Sequence, residues 1–146
     1  MSQVKPVPDG YHTVTPYLTV KDAAAQLEFL AKAFGAVETY RMRGPDGAVR
    51  HAEVRIGDSM VMVGQARDEW QPRPASLYLY VPDVDATYRS AVAAGGRTIQ
   101  EPTTHFYGDR SGAVEDGEGN AWWIATHVED VPPEEIGRRA AAQGQA

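Results

Sequence analysis

His51 and Glu53, set two residues apart, are the pair in this sequence best spaced for proton chemistry. On a strand, residues i and i+2 point to the same side. Imidazole and carboxylate would then share a face, where partial burial can tune such a pair for general acid–base work near neutral pH. The same two side chains, with Glu115, His12 and His105, are the donors from which a displaced metal site would have to be assembled. No spacing fixes their distances, and His51 could as readily hydrogen-bond a Glu or a backbone carbonyl. Other chemistries find less support. The 146 residues include no cysteine, which excludes disulfides, thiolate nucleophiles and Cys-held zinc. Ser59, Ser76, Ser90 and Ser111 lack a nucleophile-elbow context. Gly95-Gly96 reads as a helix end rather than a phosphate cradle, and the acids around Gly117-Glu-Gly-Asn120 would repel an anion. Turn chemistry accounts for Asp58, Asp116 and Glu118. Arg110 has two readings: a bidentate clamp on an anionic ligand, or a loop lock paired with Asp109 or Asp116.

The elements that must position these groups come in two copies. Tyr17-Leu-Thr-Val-Lys-Asp22 matches Tyr78-Leu-Tyr-Val-Pro-Asp83 at an offset of 78 − 17 = 61. The same offset carries Gly35 onto Gly96, each where a left-handed helix C-cap would sit. One added residue later, Gly57-Asp58 falls on Gly119-Asn120. Periodicity predicts in the first copy a strand over Thr13–Val20, a helix over Ala23–Phe34, and strands over Val37–Arg43, Ala48–Ile56 and Ser59–Gly64. In the second copy it predicts a strand over Ser76–Val81, a helix over Val84–Ala94, and strands over Arg97–Glu101, Gly112–Asp116 and Ala121–His127. Pro102–Ser111 reads as a loop. The expected layout is one α+β domain of two tandem β-α-β-β-β modules, residues 12–65 and 76–128, whose curved mixed sheets enclose a cavity. Residues 66–75 link the modules. A C-terminal arm, 129–146, opens as a helix at Pro132-Pro-Glu-Glu and is expected to fray from Ala140.

Strand alternation sorts the side chains into two faces. Leu18, Val20, Ala52, Val54, Ile56, Val61, Val63, Leu77, Leu79 and Val81 suit the underside of packed helices. The opposite face carries Thr15, Tyr17, His51, Glu53, Arg55, Met60, Met62, Ser76, Tyr78, Tyr80, Glu115 and Trp123. An aromatic, sulfur-bearing wall with a few ionisable groups is what a small-molecule cavity needs; the same residues could also simply plug a core. Trp122 and Trp123 must face opposite ways, Trp123 toward the cavity. Trp70, in the linker, is a lid or contact residue.

Tyr107-Gly108-Asp109-Arg110-Ser-Gly112, Glu115-Asp116-Gly117-Glu118-Gly119-Asn120, Trp122-Trp123-Ile-Ala-Thr-His127 and Arg50-His51-Ala-Glu53 resemble motifs of the glyoxalase/bleomycin resistance/dioxygenase (vicinal oxygen chelate) superfamily, in its PhnB-like branch. The resemblance covers roughly residues 12–138. It implies a divalent metal held at four strand positions in the enzymatic branches. Those positions fall here on Thr15, Met62, Ser76 and Trp123, and a slip of one residue brings in nothing better. It therefore implies a metal-independent binding protein with no cofactor, sequestering an aromatic antibiotic or metabolite among Thr15, Tyr17, Met60, Met62, Ser76, Tyr78, Tyr80 and Trp123. The alternative is a lyase, isomerase or dioxygenase working through a relocated metal or the His51–Glu53 pair. A homodimer is expected from the same resemblance.

Composition bounds the partners. A net charge of −6 and a pI near 5.1 leave no basic stripe for nucleic acid. No apolar run is long enough for a membrane span. Met1–Gly10 lacks the apolar core of a signal peptide, so a cytoplasmic location is expected.

Overall fold

The repeated aspartates start the helices. Asp22 and Asp83 lie in extended backbone, φ −135° and −137°, and accept hydrogen bonds from the N–H groups of Ala25 and Ala86. Such N-caps satisfy donors that a helix start leaves open, each worth about 1 kcal/mol. The computed structural model describes residues 3–144; Met1 and Ser2 of the N-terminal segment and Gln145 and Ala146 of the arm lie outside the described residues.

The element order is β1 (Tyr17–Val20), α1 (Ala23–Phe34), β2 (Val37–Arg43), β3 (Val49–Ile56), β4 (Ser59–Gln65), β5 (Ser76–Tyr80), α2 (Val84–Ala93), β6 (Arg97–Thr104), β7 (Asp109–Glu115), β8 (Ala121–His127) and α3 (Pro133–Gly144). The strands form two mixed sheets, ordered β1-β4-β3-β2 and β5-β8-β7-β6. In each, the first strand runs parallel to the last and the other pairs are antiparallel. The fold is α+β, with the β-α-β-β-β plan present twice. The chain divides into two compact units, the first running through Ala75 and including Gly117–Gly119, the second comprising Ser76–Asp116 and Asn120 onward.

In the first unit Ala23, Leu27, Leu30 and Ala33 of α1 are buried, as are Leu18, Val20, Ala52, Val54, Val61 and Val63 on the sheet. Full burial of a side chain the size of Leu30 stabilises by about 1.5–3 kcal/mol. In the second unit Val84 and Ala91 of α2 are buried with Val114, Trp122 and Ile124. There the bidentate pair from Arg110 to Asp85, both bonds 2.9 Å, ties β7 to α2. Arg110 therefore pairs with neither Asp109 nor Asp116.

Several boundaries differ from expectation. β1 begins at Tyr17, not Thr13. The loop expected over Pro102–Ser111 shrinks to the turn at residues 105–108, because β6 and β7 extend into it. β6 is an edge strand with register shifts between Thr98 and Thr103, and bulged edges tolerate a proline such as Pro102. After α2 it is Gly95, not Gly96, that takes a positive φ (+110°); Gly96 lies so close to the Ala91 carbonyl and Val114 that a Cβ would collide with them. α3 stays helical through Gly144.

Candidate functional site

Register places one row of side chains across the first sheet. Tyr17 stands opposite Met62, Met62 opposite Glu53, and Glu53 opposite Tyr40. Directly opposed residues share a face, so these four line the side away from α1. In the next row Gly64 faces His51, and His51 faces Met42. Gly64 is needed because the Tyr17 ring lies over it, and a Cβ there would strike that ring. Tyr17 thereby reaches His51: Oη to Nδ1 is 3.3 Å, with ring centroids 5.7 Å apart. On its other edge His51 Nε2 is 2.9 Å from Glu53 Oε2, both side chains about one-fifth exposed or less (18% and 20%). If Nε2–H donates to Glu53, Nδ1 is left to accept from the Tyr17 hydroxyl, so a single imidazole tautomer satisfies both bonds.

Above this row lies a hollow of about 410 Å³. Its floor is Glu53 and Met62, its rim includes Thr15, and its far wall is the chain segment from Pro6 to Thr13, which brings Val7, Tyr11 and His12 against it. A turn shapes that segment: Tyr11 N–H donates to the Pro8 carbonyl at 3.1 Å, with Gly10 at φ +84°. The Met62 N–H, donating to the Pro16 carbonyl at 2.9 Å, anchors its end. The hollow thus unites Thr15, Glu53, Met62 and His12 from the sequence-based candidates. Met60 is on the same sheet face but buried, and it does not line the hollow.

The equivalent face of the second sheet is built differently. Tyr78 stands opposite Trp123 as Tyr17 does opposite Met62. Opposite Trp123 on β7 is Ala113, so Glu53 has no acidic counterpart here. Glu115, expected in that role, takes the place of Arg55 instead and pairs with Arg97. The acid in this half is Asp109, buried at the start of β7. Its Oδ2 accepts from the Tyr78 and Tyr80 hydroxyls at 2.8 and 2.9 Å, and its Oδ1 lies 2.9 Å from His127 Nδ1. His127 Nε2 reaches Asp130 at 2.7 Å. Burial pushes the Asp109 carboxyl up, but hydrogen bonds from His127, Tyr78 and Tyr80 outweigh it and hold the group below its ordinary range. The carboxylates of Asp109 and Asp130 raise His127. Burial, then the bond to Asp109, raises Tyr78 far above an ordinary phenol, and the same bond raises Tyr80. These phenols therefore stay protonated at neutral pH and serve as donors, not bases. Ser76 lies on this face opposite Ala121 and is exposed.

The Asp109–His127 cluster is one that sequence reasoning misses. His127 lies four residues after Trp123, in the same strand phase, and that is the signal that could have found it. Trp122 is fully buried and donates Nε1–H to Asp116 at 2.8 Å, on the face opposite Trp123. His105 is engaged within the second unit, stacked on Tyr107 and 3.1 Å from Gln100. Glu118 does more than shape its turn, accepting from the Lys21 and Asp22 N–H groups. Trp70 is exposed, in a bridge with Arg67. Among the described residues no three His, Cys, Asp or Glu side chains gather in a way that could hold a metal, and no helix is long and apolar enough to cross a membrane.

The family model of the Glyoxalase/Bleomycin resistance protein/Dioxygenase superfamily matches residues 11–124. The chain belongs to that superfamily. Rv0887c of Mycobacterium tuberculosis is 34% identical over 142 residues, spanning 90% of this chain and 84% of its own. Mb0911c of Mycobacterium bovis is 34% identical over 142 residues, 90% of this chain and 93% of its own. Among solved structures, TioX from Micromonospora sp. ML1 aligns with a TM-score of 0.70 at 24% identity, covering 80% of this chain and 99% of that one. A superfamily enzyme from Burkholderia phytofirmans PsJN aligns at 0.63 with 19% identity, covering 78% and 97%. At these identities the two structures speak for the superfamily fold alone.

Proposed function

We propose that this chain is a small-molecule binding protein that works without a metal at the superfamily's ligand positions. The observation that carries the reading is the hollow of about 410 Å³ on the first sheet, within the size range of small-molecule sites. At the positions where relatives' metal ligands are expected it presents Thr15 and Met62. Ser76 and Trp123 hold the corresponding places in the second module. Hydroxyls, a thioether and a donor-only indole are a poor set for a divalent ion. The residues do not fit a metal. Apolar and aromatic walls with one carboxylate suit capture of a compact, partly apolar guest such as an aromatic antibiotic or metabolite. A homodimer acting in the cytoplasm, on the PhnB-like pattern, belongs to the same reading.

Calorimetric screening of an aromatic compound library tests it, with Met62→Trp to fill the hollow. The expected result is a ligand bound by the wild type and lost in the variant, from protein that carries no stoichiometric metal when purified without chelator. Stoichiometric zinc, nickel, manganese or iron that His51→Ala removes would overturn it.

A second reading rests on the Tyr17–His51–Glu53 chain. Glu53 borders the hollow, so it could take a proton from a guest with His51 orienting it. The long Tyr17–His51 bond, 3.3 Å, and the half-exposed Tyr17 make the phenol a positioning residue in that scheme. Turnover of a bound compound that Glu53→Gln abolishes, with binding retained, would favour this reading.

A further inference from the structure

The two oxygens of Glu53 are used unequally. Oε2 meets His51 Nε2, whereas Oε1 has no hydrogen-bond partner among the described residues, although the side chain is only 20% exposed. A carboxylate oxygen keeps acceptor capacity on both lone pairs, and partial burial removes some of the water that would otherwise use it. Among the described residues that line the hollow, Glu53 is the one carboxylate, and there is neither lysine nor arginine.

That inventory discriminates between guests. An anionic guest would meet Glu53 with no lysine or arginine to offset the repulsion, in a chain whose net charge is −6. A neutral apolar guest would cover Oε1 and leave it unpaired, which is unfavourable for a charged acceptor. A protonated amine satisfies the oxygen with a charge-assisted N–H···O bond, the stronger kind. The rest of the wall suits the apolar part of such a molecule: Tyr11 supplies an aromatic surface to which cations are attracted, and Met62 adapts to irregular outlines. Thr13 and Thr15, which also line the hollow, carry hydroxyls that can accept.

We infer that the hollow between the Pro6–Thr13 segment and the first sheet takes a small amine, bound as its ammonium ion with an N–H donated to Glu53 Oε1. This deepens the binding reading above and rests on it.

The test is isothermal titration of the full chain, at mildly alkaline pH and fixed ionic strength, with three matched compounds: phenethylamine, 2-phenylethanol and 3-phenylpropionate. The amine is expected to bind at least about tenfold more tightly than the alcohol or the acid, and Glu53→Gln to erase that margin. The wild-type comparison stands alone if Glu53→Gln fails to fold. Equal binding of amine and alcohol, or tighter binding of the acid, overturns the inference. If none of the three binds while the aromatic library still yields a ligand that Met62→Trp loses, the inference falls and the binding reading stands. If the library yields nothing either, both fall.

Discussion

His127 and Asp109 face each other across β8 and β7, Nδ1 to Oδ1 at 2.9 Å, with Asp130 on the opposite edge of the imidazole. Both carboxylates favour the imidazolium, so the folded pKa of His127 lies above its ordinary 6.5. A group raised on folding binds its proton more tightly in the native state. Its stabilisation is fully present below about 6.5, the unfolded value, and fades as pH climbs through the raised folded value. NMR titration of the ring should show this elevation, and Asp109→Asn should bring the midpoint back toward 6.5. A midpoint unchanged by that substitution would contradict the pairing.

Asp109 itself behaves in the opposite sense. Its folded pKa is depressed below 3.8, so its contribution is present above that value and is lost as pH falls through the lower folded one. Tyr78→Phe removes one donor to it and is expected to cost about 1 kcal/mol. Tyr80→Phe should cost less, because Tyr80 is 64% exposed against 45% for Tyr78. Urea denaturation of the two variants measures the order.

The adjacent tryptophans should separate sharply in stability. Trp122 is fully buried and bonded to Asp116, so Trp122→Ala is expected to cost about 3–5 kcal/mol. Trp123 lies on the other face and is only partly covered, and its truncation should cost well under half as much. Equal losses would show that the strand phase is wrong.

Gly108→Ala is expected to destabilise by about 2 kcal/mol or more. Its φ is +105°, and a Cβ would strike the Glu129 carbonyl, which is backbone and cannot swing aside. The Gly108 carbonyl also accepts from the Val128 and Glu129 N–H groups. Faster hydrogen exchange at those two amides, with a lower thermal midpoint, is the readout.

Gly64→Ala should behave otherwise. The atoms its Cβ would meet belong to the outer end of the Tyr17 side chain, which is half-exposed and free to turn away. Little stability should be lost, while the NMR cross-peaks between the Tyr17 and His51 rings disappear. A large loss of stability would mean that Tyr17 is held more firmly than its exposure indicates.

Much of the fold is legible in the sequence. The Tyr-to-Asp repeat marks the strand-then-helix opening of each module, and β2 and α1 fall where periodicity puts them. Two-residue spacing puts His51 and Glu53 on one face, and the bond between them is the structure's addition. What escaped had physical reasons. Pro102–Ser111 reads as a loop, whereas a bulged edge strand takes in Pro102 and a tight turn uses Gly108. Asp109 falls within the stretch that reads as a loop, so nothing in the sequence points to its bonds to Tyr78, Tyr80 and His127. The segment at Pro6–Thr13 has no periodicity, so nothing in it announced that it would wall a hollow. The repeat aligns Glu115 with Glu53, but the turn at Asp116–Asn120 is longer than that at Gly57-Asp58 and slips the register of β7 against β3.

Asp109, with three donors gathered on it, has little appetite left for a newcomer, whereas Glu53 keeps half of its own unspent. The duplicated plan thus carries a carboxylate engaged on both oxygens in one half and on a single oxygen in the other. A guest should quieten the amides of residues 6–15 and of β3 in exchange measurements, leaving those of β7 and β8 as they were.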